Sequence, residues 1–366
     1  MQLSQSLNLT IKNCNIMNIL SRNFNQKRKS PNSVYIIAEL SANHGQKLET
    51  ALATVHAAKE SGADAIKIQT YTPDTITLDC DNEYFQVKQG TIWDGMTLYK
   101  LYTEANTPWE WHEQIRDEAI KYELDFFSTP FDLSAVEFLE TLGVGLYKIA
   151  SFEINDIQLI EYVASKGKPI LLSTGIATLA EIEEALQACK RMGNEDVTLL
   201  KCTSSYPANP EDANLLTIPN MAETFHCRVG LSDHTVGHAV SIAAVALGAI
   251  VLEKHFILDR LIGGPDASFS VTPDEFKLLA DNVRIVEKAM GTISYEITSS
   301  IIKNREFSRS LFVVEDMKAG EIFTERNLRS IRPGFGLHTR YRPEILGKKA
   351  RIDIKRGTPL NFIMIC

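Results

Sequence analysis

From Val34 onward, short apolar runs alternate with segments of helical period, and the cycle repeats eight times. The runs are 34–40, 64–69, 125–128, 145–150, 169–173, 197–202, 227–231 and 249–255. Near-continuous apolar strands separated by helices predict a parallel sheet covered on both faces. The intervening segments support this. Leu48, Leu52, Val55 and Ala58 share one helical face, while Glu49, Lys59 and Glu60 stay polar. The stretch 178–192 opens on Thr178 as an N-cap, with Glu181 three residues on, and 237–247 is a further helix. Eight such units in roughly 260 residues predict a (β/α)8 TIM barrel. A doubly wound sheet is the alternative, but no G-x-G-x-x-G turn follows the first run.

Beyond Gly291 the pattern breaks. Residues 292–304 are polar and predict a linker, followed by a small module at 305–366. Within it, 310–314 is strand-like, 318–321 a turn, and 329–336 a rigid loop around Pro333. About sixty residues make a marginal core, so the module is expected to dock on another surface. Residues 1–33 differ again, with Lys12, Arg22, Lys27, Arg28 and Lys29, no acid, and many Asn and Ser. Asn13, Asn15 and Asn18 interrupt the apolar run that a secretory signal needs. The expectation is a disordered extension, or a start placed upstream of a true one at Met17 or later.

The composition fits a soluble, cytoplasmic protein. A chain of 366 residues at 44% hydrophobic can bury a full core. The net charge of −8 argues against general nucleic-acid binding, and no apolar stretch reaches the length of a membrane span. The six cysteines include no C-x-x-C pair and are expected as reduced thiols.

Four lysines sit near the ends of apolar runs: Lys67, Lys148, Lys201 and Lys254. Lysine is almost never buried alone, so several at equivalent places predict a pocket for an anion. The plainer reading is ion pairing to acids such as Glu39 or Asp233. A TIM barrel carries its chemistry at the carboxyl ends of its strands. Polar residues gather there: Glu39, Ser41, Asn43 and His44, then Gln69 and Tyr71, then Ser128 and Thr129. They continue with Ser151, Glu153, Ser173, Thr174, Thr203, Ser204, Tyr206, Ser232, Asp233, His234, Glu253 and His255. His234 and His255 end neighbouring strands and can converge on one divalent ion, although a single buried histidine is more often just hydrogen-bonded. Two protein ligands are too few for structural zinc, so an open Mn2+, Co2+ or Mg2+ site is expected. Cys202 reads as a small buried filler rather than a nucleophile.

These residues carry a resemblance. The segments Glu39-Leu40-Ser41-Ala42-Asn43-His44-Gly45, Lys67-Ile68-Gln69-Thr70, Ser128-Thr129-Pro130-Phe131, Lys148-Ile149-Ala150-Ser151, Gly230-Leu231-Ser232-Asp233-His234-Thr235 and Glu253-Lys254-His255-Phe256 resemble the sialic acid synthase family. Within it, 39–44, 69–74 and 201–207 are similar to the branch that uses 2,4-diacetamido-2,4,6-trideoxy-L-altrose. The sialic acid branch tends to carry Asn where this chain has Ser204. The resemblance implies condensation of phosphoenolpyruvate with that amino sugar, with C–O cleavage releasing phosphate. N-acetylneuraminic or legionaminic acid synthesis is the alternative within the family. Lys67, Lys148, Thr129, Ser151, Ser204 and Ser232 would hold phosphoenolpyruvate, and Gln69, Tyr206 and Asp266 the sugar. An ion on His234 and His255 would polarise the aldehyde. Glu39 would position or deprotonate a reacting oxygen, or else serve only as a lysine counter-ion. The C-terminal module resembles the antifreeze-like domain of the family, in which an Arg-Pro-Gly arginine reaches the partner subunit's barrel in a swapped homodimer. Arg332 matches it; the plain alternative is a surface arginine. A metal-dependent aldolase or hydrolase, and a silent sugar-binding protein, are the readings from other classes.

Overall fold

The computed structural model describes residues 21–27, 33–88, 90 and 93–366. Eight parallel strands close into a barrel in sequential order. They are β1 (Tyr35–Glu39), β2 (Ala65–Thr70), β3 (Asp125–Pro130), β4 (Tyr147–Ile149), β5 (Ile170–Ser173), β6 (Val197–Cys202), β7 (Arg228–Asp233) and β8 (Val251–His255). Pairing of β8 with β1 completes the ring. Each strand is followed by an outer helix, beginning with Leu48–Glu60 and ending with Pro273–Met290. The helix Leu179–Arg191 starts as its sequence dictates. Thr178 accepts from the Glu181 backbone N–H, and the Glu181 carboxylate accepts from the Thr178 N–H at 2.7 Å.

Two apolar layers stabilise the barrel. One lies between strands and helices and includes Ile36, Ile66, Phe126, Leu172, Leu199 and Leu252. The other fills the interior with Tyr35, Ile37, Ala65, Phe127, Leu171, Leu200 and Val251. Phe24 completes the interior cluster from outside the barrel. It lies on a short helix, Arg22–Lys27, and is 1% exposed. The Asp125 carboxylate accepts from the backbone N–H of Asn23 at 2.9 Å and of Phe24 at 2.8 Å. The expectation of an unstructured extension therefore fails for residues 21–27, because one aromatic and a buried carboxylate suffice to anchor the helix. The rest of that expectation, up to residue 20 and over 28–32, lies outside the described residues.

The chain divides into two compact units, Met1–Gly291 and Thr292–Cys366. The stretch expected as a plain linker contains a helix, Ser299–Arg305, capped by Thr298 and burying no residue. In the second unit β9 (Ser310–Val313) pairs antiparallel with β10 (Leu328–Ile331). Leu311, Val313, Met317, Phe323, Leu328, Ile345, Ala350, Ile354, Leu360 and Ile365 form its core. Residues 329–331, read as loop from sequence, belong to β10; the loop begins at Arg332. Ser310 ties that loop down, donating to the Pro333 carbonyl at 2.6 Å and accepting from the Gly336 N–H at 2.8 Å. No helix among the described residues is long and apolar enough to cross a membrane.

Candidate active site

Alternate residues of a strand face opposite sides of the sheet, so the interior layer fixes which polar residues enter the barrel mouth. Continuing its parity upward from Ile37, Ala65, Phe127, Leu171, Leu200 and Val251 reaches Glu39, Lys67, Gln69, Thr129, Ser173, Cys202, Glu253 and His255. Register then sets neighbours. Glu39 lies beside both Lys67 and His255, Gln69 beside Thr129, and Ser232 beside both Cys202 and Glu253.

The centre is a buried network of two lysines and two glutamates. Lys67 Nζ lies 2.7 Å from Glu39 and 3.7 Å from Glu253, and donates to Thr129 Oγ1 at 3.1 Å. Lys148 Nζ lies 3.6 Å from Glu253 and donates to Ser173 Oγ at 2.6 Å. Ser232 donates to Glu253 at 2.9 Å, and Gln69 to Glu39 at 3.3 Å. Burial would raise Glu253, but Lys148 and Lys67 outweigh it and hold the carboxyl at about 2. Burial would likewise lower Lys67; Glu253 and Glu39 reverse that and raise it. For Glu39 burial wins over Lys67, so its pKa rises. Lys148 is lowered by burial despite Glu253. The network is formally neutral, and an arriving anion would favour charged lysines. Sequence reasoning placed Glu253 at the mouth but gave it no role. Its i, i+2 spacing from His255 was the available signal.

The four lysines are not equivalent. Lys254 Nζ bonds Asp233 at 2.8 Å and the Thr235 carbonyl, and Ser241 also donates to Asp233. This ion pair has the opposite strand parity and points toward the helix layer, so ion pairing explains Lys254 fully. Lys201 shares that outward parity and donates to the Cys202 carbonyl at 2.8 Å. Only Lys67 and Lys148 enter the mouth. Asn43 and His44 are held by local contacts, each with one buried side-chain atom, Asn43 Oδ1 and His44 Nε2, left without a hydrogen-bond partner. Asn43 donates to the Phe256 carbonyl and to Ser270; the His44 ring packs edge-on against Trp111, and burial lowers it to about 4.

A hydroxyl cluster adjoins Lys148. Ser151 Oγ accepts from the Gly175 N–H at 3.1 Å. A Cβ at Gly175 would collide with Ser204 Oγ and stand 2.8 Å from Ser151 Oγ. Glycine at that position therefore lets Ser151 and Ser204 close in on the backbone, which gathers two hydroxyls at one place. Cys202 Sγ lies 3.7 Å from Ser204 Oγ and 3.7 Å from His234 Nδ1.

The imidazoles of His234 and His255 face each other with ring centroids 5.2 Å apart. His234 Nδ1 is 3.1 Å from the Thr203 carbonyl, which leaves Nε2 for a ligand. His255 Nδ1 is buried without a hydrogen-bond partner, 3.6 Å from Asp266. Two nitrogen donors, one of them orphaned, fit a divalent ion. No group of three or more His, Cys, Asp or Glu suited to a metal occurs among the described residues. The remaining positions of such an ion would belong to water or substrate. Asp266 also accepts from the Ala42 N–H at 3.3 Å. Tyr206 packs on His234 with centroids 4.6 Å apart, and Phe269 on His255 at 5.0 Å. The mouth therefore brings His234, His255, Asp266 and Tyr206 together, whereas Lys201, Asp233 and Lys254 face away from it. Arg332, in the second unit, is exposed and makes no ion pair among the described residues.

Residues 54–295 match the NeuB family model, and 308–365 match the SAF domain. This chain belongs to the NeuB family. The NeuB relatives include the pseudaminic acid synthase of Campylobacter jejuni subsp. jejuni serotype O:2, 49% identical over 93% of this chain and 97% of that protein. The pseudaminic acid synthase of Helicobacter pylori is 47% identical over 89% and 96%. Among solved NeuB-like structures, N-acetylneuraminic acid synthetase from Leptospira borgpetersenii superposes with a TM-score of 0.67. It is 32% identical, covering 74% of this chain and 90% of that one.

Proposed function

We propose that this chain is a pseudaminic acid synthase, joining phosphoenolpyruvate to 2,4-diacetamido-2,4,6-trideoxy-L-altrose to give a nine-carbon 2-keto acid and phosphate. The observation that carries the reaction class is the buried cradle of Lys67, Lys148 and hydroxyls beside two facing imidazoles. Similarity to two pseudaminic acid synthases along most of the chain supports the sugar. Lys67 with Thr129, and Lys148 with Ser151, Ser204 and Ser232, hold the two anionic ends of phosphoenolpyruvate. Gln69, Tyr206 and Asp266 orient the open-chain sugar so that its aldehyde carbon faces the enol carbon. His234 and His255 would hold a divalent ion, which would supply Lewis-acid polarisation at the aldehyde oxygen. Carbon–carbon bond formation leaves a cationic C2, which adds water; the tetrahedral carbon then expels phosphate. Glu39, in contact with Lys67 and Gln69, positions or deprotonates a reacting oxygen. Glu253 lies within ion-pair distance of both lysines and favours their charged forms.

The second unit completes the site in this reading. Arg332 stands on a loop pinned by Ser310 and reaches the sugar of a partner subunit in a swapped homodimer in the cytoplasm. The deciding experiment is phosphate release from phosphoenolpyruvate with a panel of 2-acetamido and 2,4-diacetamido hexoses. Turnover with the diacetamido-altrose should far exceed that with N-acetylmannosamine. Comparable kcat/KM for the two removes the pseudaminic assignment and keeps the family.

A further inference from the structure

The connection after β2 is the longest in the barrel, running from Tyr71 to the helix His112–Lys121. It carries Trp93 onto the loop after β8. The indole N–H donates to the Pro265 carbonyl at 3.0 Å. The ring lies 5.7 Å from that of Tyr206, which in turn contacts both His234 and Phe269. Trp93 also walls a cavity of about 330 Å³ with Arg260, Gly264, Pro265, Ala267 and Ser268. Asp266 sits within that loop and turns its carboxylate the other way, toward the Ala42 N–H and His255. The Trp93 ring thus borders this cavity and, through Tyr206, the histidines of the mouth.

Resting on the proposed function, we infer that Trp93 is a specificity-determining residue that packs the deoxygenated, acetamido-bearing end of the sugar in this cavity. Its substrate class is a hexose whose C6 is a methyl and whose C4 bears an acetamido group, where common hexosamines carry hydroxyls at both carbons. Arg260 donates to the Ser270 carbonyl and to Glu275, and Pro265 and Ala267 add apolar surface beside the indole. Methyl and acetamido groups meeting an indole face gain apolar contact that a hydroxyl in water does not need. Removing such a contact changes discrimination by about 10- to 200-fold.

Two variants test this. Trp93→Ala should lower kcat/KM for the diacetamido-altrose about 10- to 200-fold, mainly through KM. The KM for phosphoenolpyruvate should hold, and the low rate with N-acetylmannosamine should barely change. In parallel, the diacetamido sugar alone should shift tryptophan emission in the wild-type protein but not in Trp93→Phe, which keeps an aromatic ring in place. A folded Trp93→Ala with wild-type sugar preference, or an emission shift retained in Trp93→Phe, overturns the inference. If Trp93→Ala does not fold, the emission result with Trp93→Phe decides. A wild-type protein that releases no phosphate with this sugar refutes the proposed function instead.

Discussion

Lys148 and Lys254 are both buried, yet strand parity gives them different tasks. Lys148 faces the mouth, so Lys148→Met should cost about 3 kcal/mol of transition-state binding, roughly 100-fold in kcat/KM for phosphoenolpyruvate. Lys254→Met should leave the KM for phosphoenolpyruvate unchanged and lower stability by about 3 kcal/mol, since Asp233 would remain buried and unpaired. Steady-state kinetics and urea melts on the two variants check the pair; the reverse pattern would refute the assignment by parity. The histidines make a third test. Chelation should abolish turnover, with Mn2+ or Co2+ restoring it. His234→Ala or His255→Ala should lose orders of magnitude in kcat while melting within about 1 kcal/mol of wild type, because an open site adds little to folding. A chelated enzyme that still works, or a variant that unfolds, counts against the ion.

At the scale of elements, the unexpected one is the helix Arg22–Lys27. Phe24 packs edge-on against Tyr35 at 5.1 Å, and Phe24→Ala should cost about 3 kcal/mol. Its anchor, Asp125, is pushed up to about 7 by burial, which outweighs the hydrogen bonds from Asn23, Phe24 and Tyr35. Between about pH 4 and 7 the folded state therefore holds a proton that the unfolded chain has released, so this group's contribution to stability falls as pH rises through that window. The loss amounts to a few kcal/mol, since each tenfold difference in proton affinity between the two states is worth about 1.4 kcal/mol. Urea midpoints from about pH 4.5 to 8.5 should show that slope in wild type and a flatter one in Asp125→Asn. Parallel slopes would place the titration elsewhere.

For the whole molecule, the proposed swap has a direct test. His234→Ala and Arg332→Ala should each be inactive. After mixing and subunit exchange, a mixed dimer would pair the intact barrel of the Arg332 variant with an intact arginine from its partner. Phosphate release should then recover to roughly a quarter of wild type, taking half of the dimers as mixed with one working site each and independent sites. Exchange verified by mass without recovery would mean that the arginine serves its own barrel.

Local sequence sufficed for the barrel because each strand and helix announces itself by period, and eight repeats admit few topologies. It also named nearly all the mouth residues, since a TIM barrel puts strand ends together whatever their side chains. The apolar pattern alone did not separate Lys67 and Lys148 from Lys201 and Lys254; the resemblance assigned only the first two to phosphoenolpyruvate, and counting by twos from His255 would have excluded Lys254. Glu253 looked like one more polar residue until closure of the ring set it between two lysines. Phe24 and Trp93 lay beyond sequence for a deeper reason. Each acts through partners about a hundred or more residues away, Asp125 for the helix of Phe24 and Pro265 for Trp93. Only chain closure brings such groups within hydrogen-bond reach, so tertiary structure decided their roles.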